Sequence, residues 1–306
     1  MRGIGDIQEA AHAPDPAPLD FYLKVTTGRA KRCLVAADRQ TLACEGNMAE
    51  RLNGRIAIVT GSDSGIGQAI AEEFAKEGAD VMVVYHTDHG GAEETRRRVE
   101  TAGRRALVRQ ADVRDERAVA ALFEETERTL GAPYILVNSA GVNGNDTPVA
   151  QVSTEHLHVV IATDLVAPFF CCREFIRRRE KAGGHGKIIN ITSVHDTIPS
   201  PGNAAYGAAK AGLASLTRSL ALELAPMRIN VVNIAPGMIK TPMTAARVND
   251  PEKQREELPH IPWRRAGEPW EIGRLAAYLA SDDADYITGQ TVTIDGGLEM
   301  NWGQGA

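Results

Sequence analysis

From residue 55 onward, apolar positions along the chain switch repeatedly between two periods. Ile56–Thr60 is a short β-rich run, and Ile66, Ile70 and Phe74 follow at the i, i+4 spacing of a helix face. The alternation continues with a strand at Val81–Tyr85, a charged helix at Glu93–Ala102 and a strand at Ala106–Gln110. Next comes a helix whose Val119, Leu122, Phe123 and Leu130 share one face. Ile135–Asn138 predicts a fourth strand, and a long helix starts near Thr154. Lys187–Ser193 reads as a fifth strand, Ala204–Leu224 as a helix and Arg228–Ile234 as a sixth strand. A looser segment, 237–266, precedes a helix over Pro269–Ala280 and a last strand at Thr291–Asp295. Strands alternating with helices require parallel pairing through right-handed crossovers. The predicted fold is α/β: one Rossmann-type, doubly wound parallel sheet flanked by helices on both faces. Such a sheet binds its ligand beyond the carboxyl ends of the strands, where the strand order reverses.

The first 47 residues break this pattern. They hold the run Ala13-Pro14-Asp15-Pro16-Ala17-Pro18, scattered charges and no sustained period. They read either as a flexible tail or as a stretch ahead of the true start at Met48, with too few recurring apolar residues for a core of their own. The expected domain is therefore 48–306, with 237–266 as a lid over the substrate.

Composition narrows the function classes. Of the 306 residues, 43% are hydrophobic and 24% charged, an ordinary globular balance. The net charge of -6 argues against a nucleic-acid partner, which calls for a basic patch. No window approaches the run of about 18 apolar residues that spans a membrane. Nor does the N-terminus carry a basic stretch followed by an apolar core, so a cytoplasmic protein is expected. Cys33, Cys44, Cys171 and Cys172 lack paired metal-ligand spacing, and no metal site is expected. Adjacent Cys171 and Cys172 lie in an apolar helical stretch and read as buried thiols.

The first strand runs directly into Thr60-Gly61-Ser62-Asp63-Ser64-Gly65-Ile66-Gly67 and then a helix. Glycines there allow a tight turn and close approach of backbone to ligand. The helix start offers free N–H groups to a pyrophosphate. A glycine cluster alone is a weak signal, but its place between first strand and amphipathic helix points to a dinucleotide.

The spacing GxxxGxG, within TGxxxGIG, resembles the classical short-chain dehydrogenase/reductase family, and the resemblance extends over residues 52–298. Asn138-Ser139-Ala140-Gly141 is similar to the family's NNAG turn, and Asp112-Val113 to its adenine-contacting pair. Pro236-Gly237 with Thr241 matches the loop that holds the nicotinamide carboxamide, and Asp295-Gly296-Gly297 the C-terminal DGG. The resemblance implies NAD or NADP bound by Gly61, Ser64, Gly65, Ile66, Gly67, Asp112, Val113, Asn138, Ala140, Gly141, Pro236, Gly237, Ile239 and Thr241, together with Tyr206 and Lys210. It also implies a homotetramer built on the helix that carries Tyr206 and on the last strand. Ala208, Ala209, Ala211, Gly212 and Ala214 would suit close helix packing there.

Tyr206 and Lys210 are four apart on one helix face, and Ser193 ends the fifth strand at the ligand edge. Oxidising an alcohol requires a base to take the hydroxyl proton while hydride leaves the carbon. A free phenol, with pKa about 10, is a poor choice near neutrality. A neighbouring ammonium favours phenolate. Lys210 can supply that charge while bonding the nicotinamide ribose, as its counterpart does in the family. Ser193 would hold the substrate oxygen. Asp164 stands where the family's NLxGxF phrase has Asn, within Asp164-Leu165-Val166-Ala167-Pro168-Phe169. If ionised, Asp164 opposes Lys210, and an alkaline-shifted optimum is expected. Pro168 has no N–H, which leaves the carbonyl of Asp164 free of its helical bond for the family's proton relay.

The second strand ends in Tyr85-His86-Thr87, with no acid before Asp88 and no Arg or Lys, so the choice between NAD and NADP stays open. Ser193-Val194-His195-Asp196-Thr197-Ile198-Pro199 is similar to the SSVHExIP phrase of bacterial glucose 1-dehydrogenases. That similarity implies a small polar alcohol or sugar as substrate, bordered by His195, Asn143 and Lys240. At two of these positions the chain departs from the sugar enzymes, with Asn143 for Glu and Lys240 for Asn. His195 also reads as a hydrogen-bonded loop residue. A ketoacyl or other carbonyl reductase is the alternative, suggested by Met238, Ile239, Met243 and Trp263 in the lid segment. A catalytically silenced nucleotide-binding regulator, suggested by Asp164, is a third.

Overall fold

The computed structural model describes residues 50–144 and 146–301. The proposed tail, the start at Met48, and Cys33 and Cys44 lie outside the described residues. Seven strands form one all-parallel sheet: β1 (Ile56–Thr60), β2 (Asp80–Tyr85), β3 (Ala106–Gln110), β4 (Ile135–Asn138), β5 (Gly186–Ile191), β6 (Ile229–Pro236) and β7 (Thr291–Ile294). Their order is β3-β2-β1-β4-β5-β6-β7, so the switch point falls between β1 and β4. Helices α1 (Gly65–Lys76), α2 (His89–Thr101), α3 (Glu116–Thr129), α4 (Thr154–Ile161), α5 (Ala167–Lys181) and α6 (Ala204–Leu224) provide the main crossovers. The short α7 (Ala245–Val248) and α8 (Pro251–Glu257) follow β6, and α9 (Pro269–Ala280) and α10 (Leu298–Asn301) are the last helices of the described residues.

Both sheet faces are covered, which is why the central strands read as unbroken apolar runs. Ala57 and Val59 face a core shared with Ile70 and Phe74 of α1 and Ile272 of α9. Ile58, between them, faces the other core with Phe123 of α3, Phe175 of α5 and Leu224 of α6. A polar rung crosses this interior near the ligand edge. Asn138, Asn190, Asn233 and Thr291 are in register on β4, β5, β6 and β7. Asn138 Nδ2 donates to Asn190 Oδ1 at 2.8 Å, and Asn190 Nδ2 to Thr217 Oγ1 on α6 at 2.8 Å. Thr217 in turn donates to Asn233, whose amide reaches Thr291.

The long helix expected from Thr154 is in fact two helices joined by a π turn at Ala162–Val166. Pro168 offers no N–H to the Asp164 carbonyl, and the ladder widens locally, with Ala167 N–H bonding the Ala162 carbonyl. β5 ends at Ile191, not Ser193, because Ser193 already caps a 3₁₀ turn at Val194–Asp196. The looser segment 237–266 contains α7, α8 and two 3₁₀ turns.

The small residues of α6 are divided between the interior and the surface of this chain, with Ala208 exposed. Ala209 and Ala214 are buried, and Leu165 of the π turn lies 3.0 Å from where a Cβ of Gly212 would stand. Cys171 and Cys172 are buried, and desolvation pushes both thiols up, Cys172 to about 12. Among the described residues no helix is long and apolar enough to cross a membrane, and no cluster of three metal-ligating side chains occurs.

Candidate active site

The turns that leave β1 and β4 meet at the switch point because glycine permits it. Gly61 has φ +62°, and a Cβ there would lie 2.7 Å from the Cα of Ala140. A Cβ on Gly67 would lie 2.2 Å from the Gly61 carbonyl oxygen, so α1 begins directly against the turn. Ser64 caps α1 without a side-chain bond, and no acid stands in the first helical turn. Free N–H groups, bare backbone and a first helical turn without a carboxylate fit the pyrophosphate of a dinucleotide.

The polar residues that hold this cradle were not singled out from the sequence. Thr60 Oγ1 accepts from Ser139 N–H and Ala140 N–H, both at 3.1 Å, joining the two turns. Ser62 Oγ accepts from Val84 N–H at 3.0 Å, and Thr95 on α2 donates to the Ser62 carbonyl at 2.7 Å. The only signal for Thr60 and Ser62 was a run of hydroxyl residues beside the glycines, and Thr95 on α2 had none.

Asp112 is gripped by Arg114 through Nε at 2.8 Å and Nη2 at 2.7 Å, which holds its carboxyl down to about 2. The neighbouring Val113 is buried in the core. His86 lies 3.8 Å from Asp112. Burial raises the carboxyl of Asp63, and the charge of Asp88 pushes it the same way. Asp63 and Asp88 thus put negative character near the end of β2.

β6 ends at Pro236. Gly237 follows it so closely against Asp295 that a Cβ would be 2.7 Å from the aspartate Cβ. Ile239 turns its side chain into the core, and its backbone bridges to Gly267. Thr241 lies over the phosphate turn, its side chain 3.1 Å from the Cβ position of Gly65. Lys240 pairs with Glu268 and lines a groove with Gln68, Trp270 and Arg274, along α1 and α9.

Ser193, Tyr206 and Lys210 come together at the mouth of β5. Ser193 Oγ accepts from His195 N–H at 3.2 Å. The His195 ring stands edge-on to Tyr206, 6.5 Å between centroids, with Nδ1 bonded to the Ile198 carbonyl at 3.2 Å. Tyr206 is half-buried. Lys210 is buried one turn further on, its Nζ 5.5 Å from the Tyr206 ring centre and donating to the Ile191 carbonyl at 3.0 Å. From the turn after β4, Asn143 bonds the Met243 carbonyl at 3.5 Å, and Gly141 faces Lys210 and Asp164. Asp164 is fully buried, with Oδ1 accepting from Val142 N–H at 2.9 Å.

A family model described as enoyl-(acyl carrier protein) reductase matches residues 61–299, from the turn after β1 to the last short helix. The chain belongs to the short-chain dehydrogenase/reductase family. It is 40% identical to 3beta-hydroxysteroid dehydrogenase 1 of Eggerthella lenta, over 84% of this chain and 100% of that one. With glucose 1-dehydrogenase 2 of Bacillus subtilis it shares 37% identity, over 83% and 98%. Among solved structures, an Agrobacterium tumefaciens protein provisionally assigned as 2-deoxy-D-gluconate 3-dehydrogenase, with bound NADP, superposes with a TM-score of 0.76. The two share 34% identity, over 82% of this chain and 98% of that one. As a member of this family, the protein is an oxidoreductase that uses NAD or NADP.

Proposed function

We propose that the protein oxidises a secondary alcohol of a polyol or sugar, or reduces the matching carbonyl, with Tyr206 as acid–base group. The observation that carries this is the convergence of Ser193, Tyr206 and buried Lys210 at the ligand edge, beside a cradle shaped for a dinucleotide. When bound, the nicotinamide ring accepts or returns the hydride. Tyr206 takes the hydroxyl proton, Lys210 supplies the positive charge that favours phenolate, and Ser193 orients the substrate oxygen. The bond from His195 Nδ1 to the Ile198 carbonyl puts the proton on Nδ1 and leaves Nε2 as an acceptor for a second substrate hydroxyl. Asn143 adds an amide across the entrance, and residues 237–266 form the lid.

The polar reading is preferred to a ketoacyl substrate because of where three of the four apolar side chains named for the lid go. Met238, Ile239 and Trp263 line a separate cavity of about 320 Å³ with Asp295, Gly296 and Gly297, and Tyr206 is not among its walls. Names of relatives support both a sugar and a steroid alcohol. The reading is tested by following reduction of NAD and of NADP by the purified protein with sugars, polyols, a hydroxysteroid and simple alcohols. Tyr206→Phe is expected to lower kcat with a sugar or polyol by about 10²–10⁴-fold, the usual contribution of a general base. Turnover confined to hydroxysteroids would overturn the polar reading, and full activity in Tyr206→Phe would overturn the assigned base.

A further inference from the structure

Asp164 lies in the π turn with both carboxyl oxygens enclosed. Oδ1 has the Val142 N–H, while no hydrogen-bond donor among the described residues reaches Oδ2. The elements packed round it are α4, α5, α6 and the turn after β4. Their titratable and charged groups are Glu155, His156 and His158 on α4, Cys171, Cys172, Arg173, Glu174, Arg177, Arg178, Arg179, Glu180 and Lys181 on α5, and Tyr206, Lys210, Arg218 and Glu223 on α6. Of these, only Lys210 acts on the carboxyl. Yet Lys210 donates to the Ile191 carbonyl, and no ion pair within 4.0 Å joins it to Asp164. An ionised carboxylate here would bury one charged oxygen with no donor, a costly arrangement. A protonated carboxyl asks for less. Oδ1 still accepts from Val142 and Oδ2 becomes a neutral hydroxyl, so the fork carries one acceptor and one donor like the amide of Asn.

We propose that Asp164 keeps its proton in the working enzyme, as a neutral positioning residue that pins the Gly141–Val142 turn and leaves the charge of Lys210 undivided for Tyr206. This rests on the acid–base reading of Tyr206 and Lys210 given above. Burial raises the carboxyl's pKa, against the downward pull of Lys210 and of the Val142 N–H, which accords with the neutral form. The alkaline shift expected of an ionised Asp164 therefore does not arise.

The deciding experiment needs no substrate. Infrared difference spectra of the full-length wild type against Asp164→Asn at neutral pH should show a protonated carboxyl C=O band that moves in D₂O. Carboxylate bands in its place would overturn the proposal. A second readout is the phenolate absorbance of Tyr206 against pH, taken as the difference from Tyr206→Phe. It should develop over the same pH range in Asp164→Asn, within about half a unit. A downward move of about one unit or more, as expected when a charge is removed from within about 4–6 Å, would show that the wild-type carboxyl was ionised and overturn it as well. A Tyr206 that behaves as an ordinary phenol in both proteins counts instead against the base assignment, and the infrared band still decides the state of Asp164.

Discussion

Gly141 shows how little room the site leaves at the scale of one residue. A Cβ there would lie 2.9 Å from Asp164 Oδ1 and 3.5 Å from Lys210 Nζ, so alanine must displace a buried carboxyl or crowd the lysine. Gly141→Ala is expected to cost about 1–3 kcal/mol of stability, the usual range for overpacking. It should also lower kcat at least about tenfold, since small misplacements near reacting groups are expensive. Urea unfolding and steady-state rates on the purified variant check both, and an unchanged kcat would mean that the pair tolerates the shift. This glycine was legible in the sequence through the resemblance of Asn138-Ser139-Ala140-Gly141 to the family's NNAG turn. The groups it must clear were half legible. Tyr206 and Lys210 came from their spacing and Asp164 from its departure from the family phrase. The Val142 N–H and the Ile191 carbonyl did not, since every residue type carries a backbone and such contacts leave no letter behind.

At the scale of elements, what matters is how the segment after β6 is tied down. Glu271, in the first turn of α9, accepts from the Glu268 N–H at 2.8 Å and pairs with Arg265 through two bonds of 2.7 Å. The Arg265 guanidinium holds this carboxyl down to about 2, below its ordinary 4.5. The folded state thus favours the ionised form. Its contribution is complete above pH 4.5 and fades as pH falls toward 2. Arg265 is 44% exposed, so solvent screening keeps the contribution of the pair small. Glu271→Gln should be slightly less stable than wild type at pH 7, and the gap should narrow steadily below about pH 4. Denaturant titrations of the two proteins at pH 7 and pH 3 read it; a gap that stays constant would assign the effect to the helix cap rather than the ion pair. Most elements were visible as hydrophobic period. The π turn was not, because Pro168 marks a break in the ladder without saying how the chain absorbs it. The short helices α7 and α8 were missed for a related reason: with four and seven residues they are too short to display a period.

Across the whole molecule, the sheet brings every chemical group of the site to one edge, and the buried asparagine rung lies just beneath it. Asn138 is both the last residue of β4 and the lead-in to the Ser139–Gly141 turn, so the rung connects sheet packing to the dinucleotide cradle. Asn190 is fully buried and links Asn138 on one side to Thr217 on the other, at 2.8 Å each. Leucine at this position has nearly the same bulk but leaves the Asn138 amide without its oxygen acceptor and takes the donor from Thr217. Buried polar groups stripped of partners cost far more than the net worth of the bonds they made. Asn190→Leu should therefore lose about 2–4 kcal/mol in urea unfolding at fixed protein concentration. Dinucleotide affinity, measured by calorimetry on the protein that remains folded, should fall as well, because the β4 turn loses its anchor. Stability lost with affinity unchanged would confine the rung to sheet packing. Loss of both would mean that the same hydrogen bonds hold the sheet together and aim the cradle at its ligand.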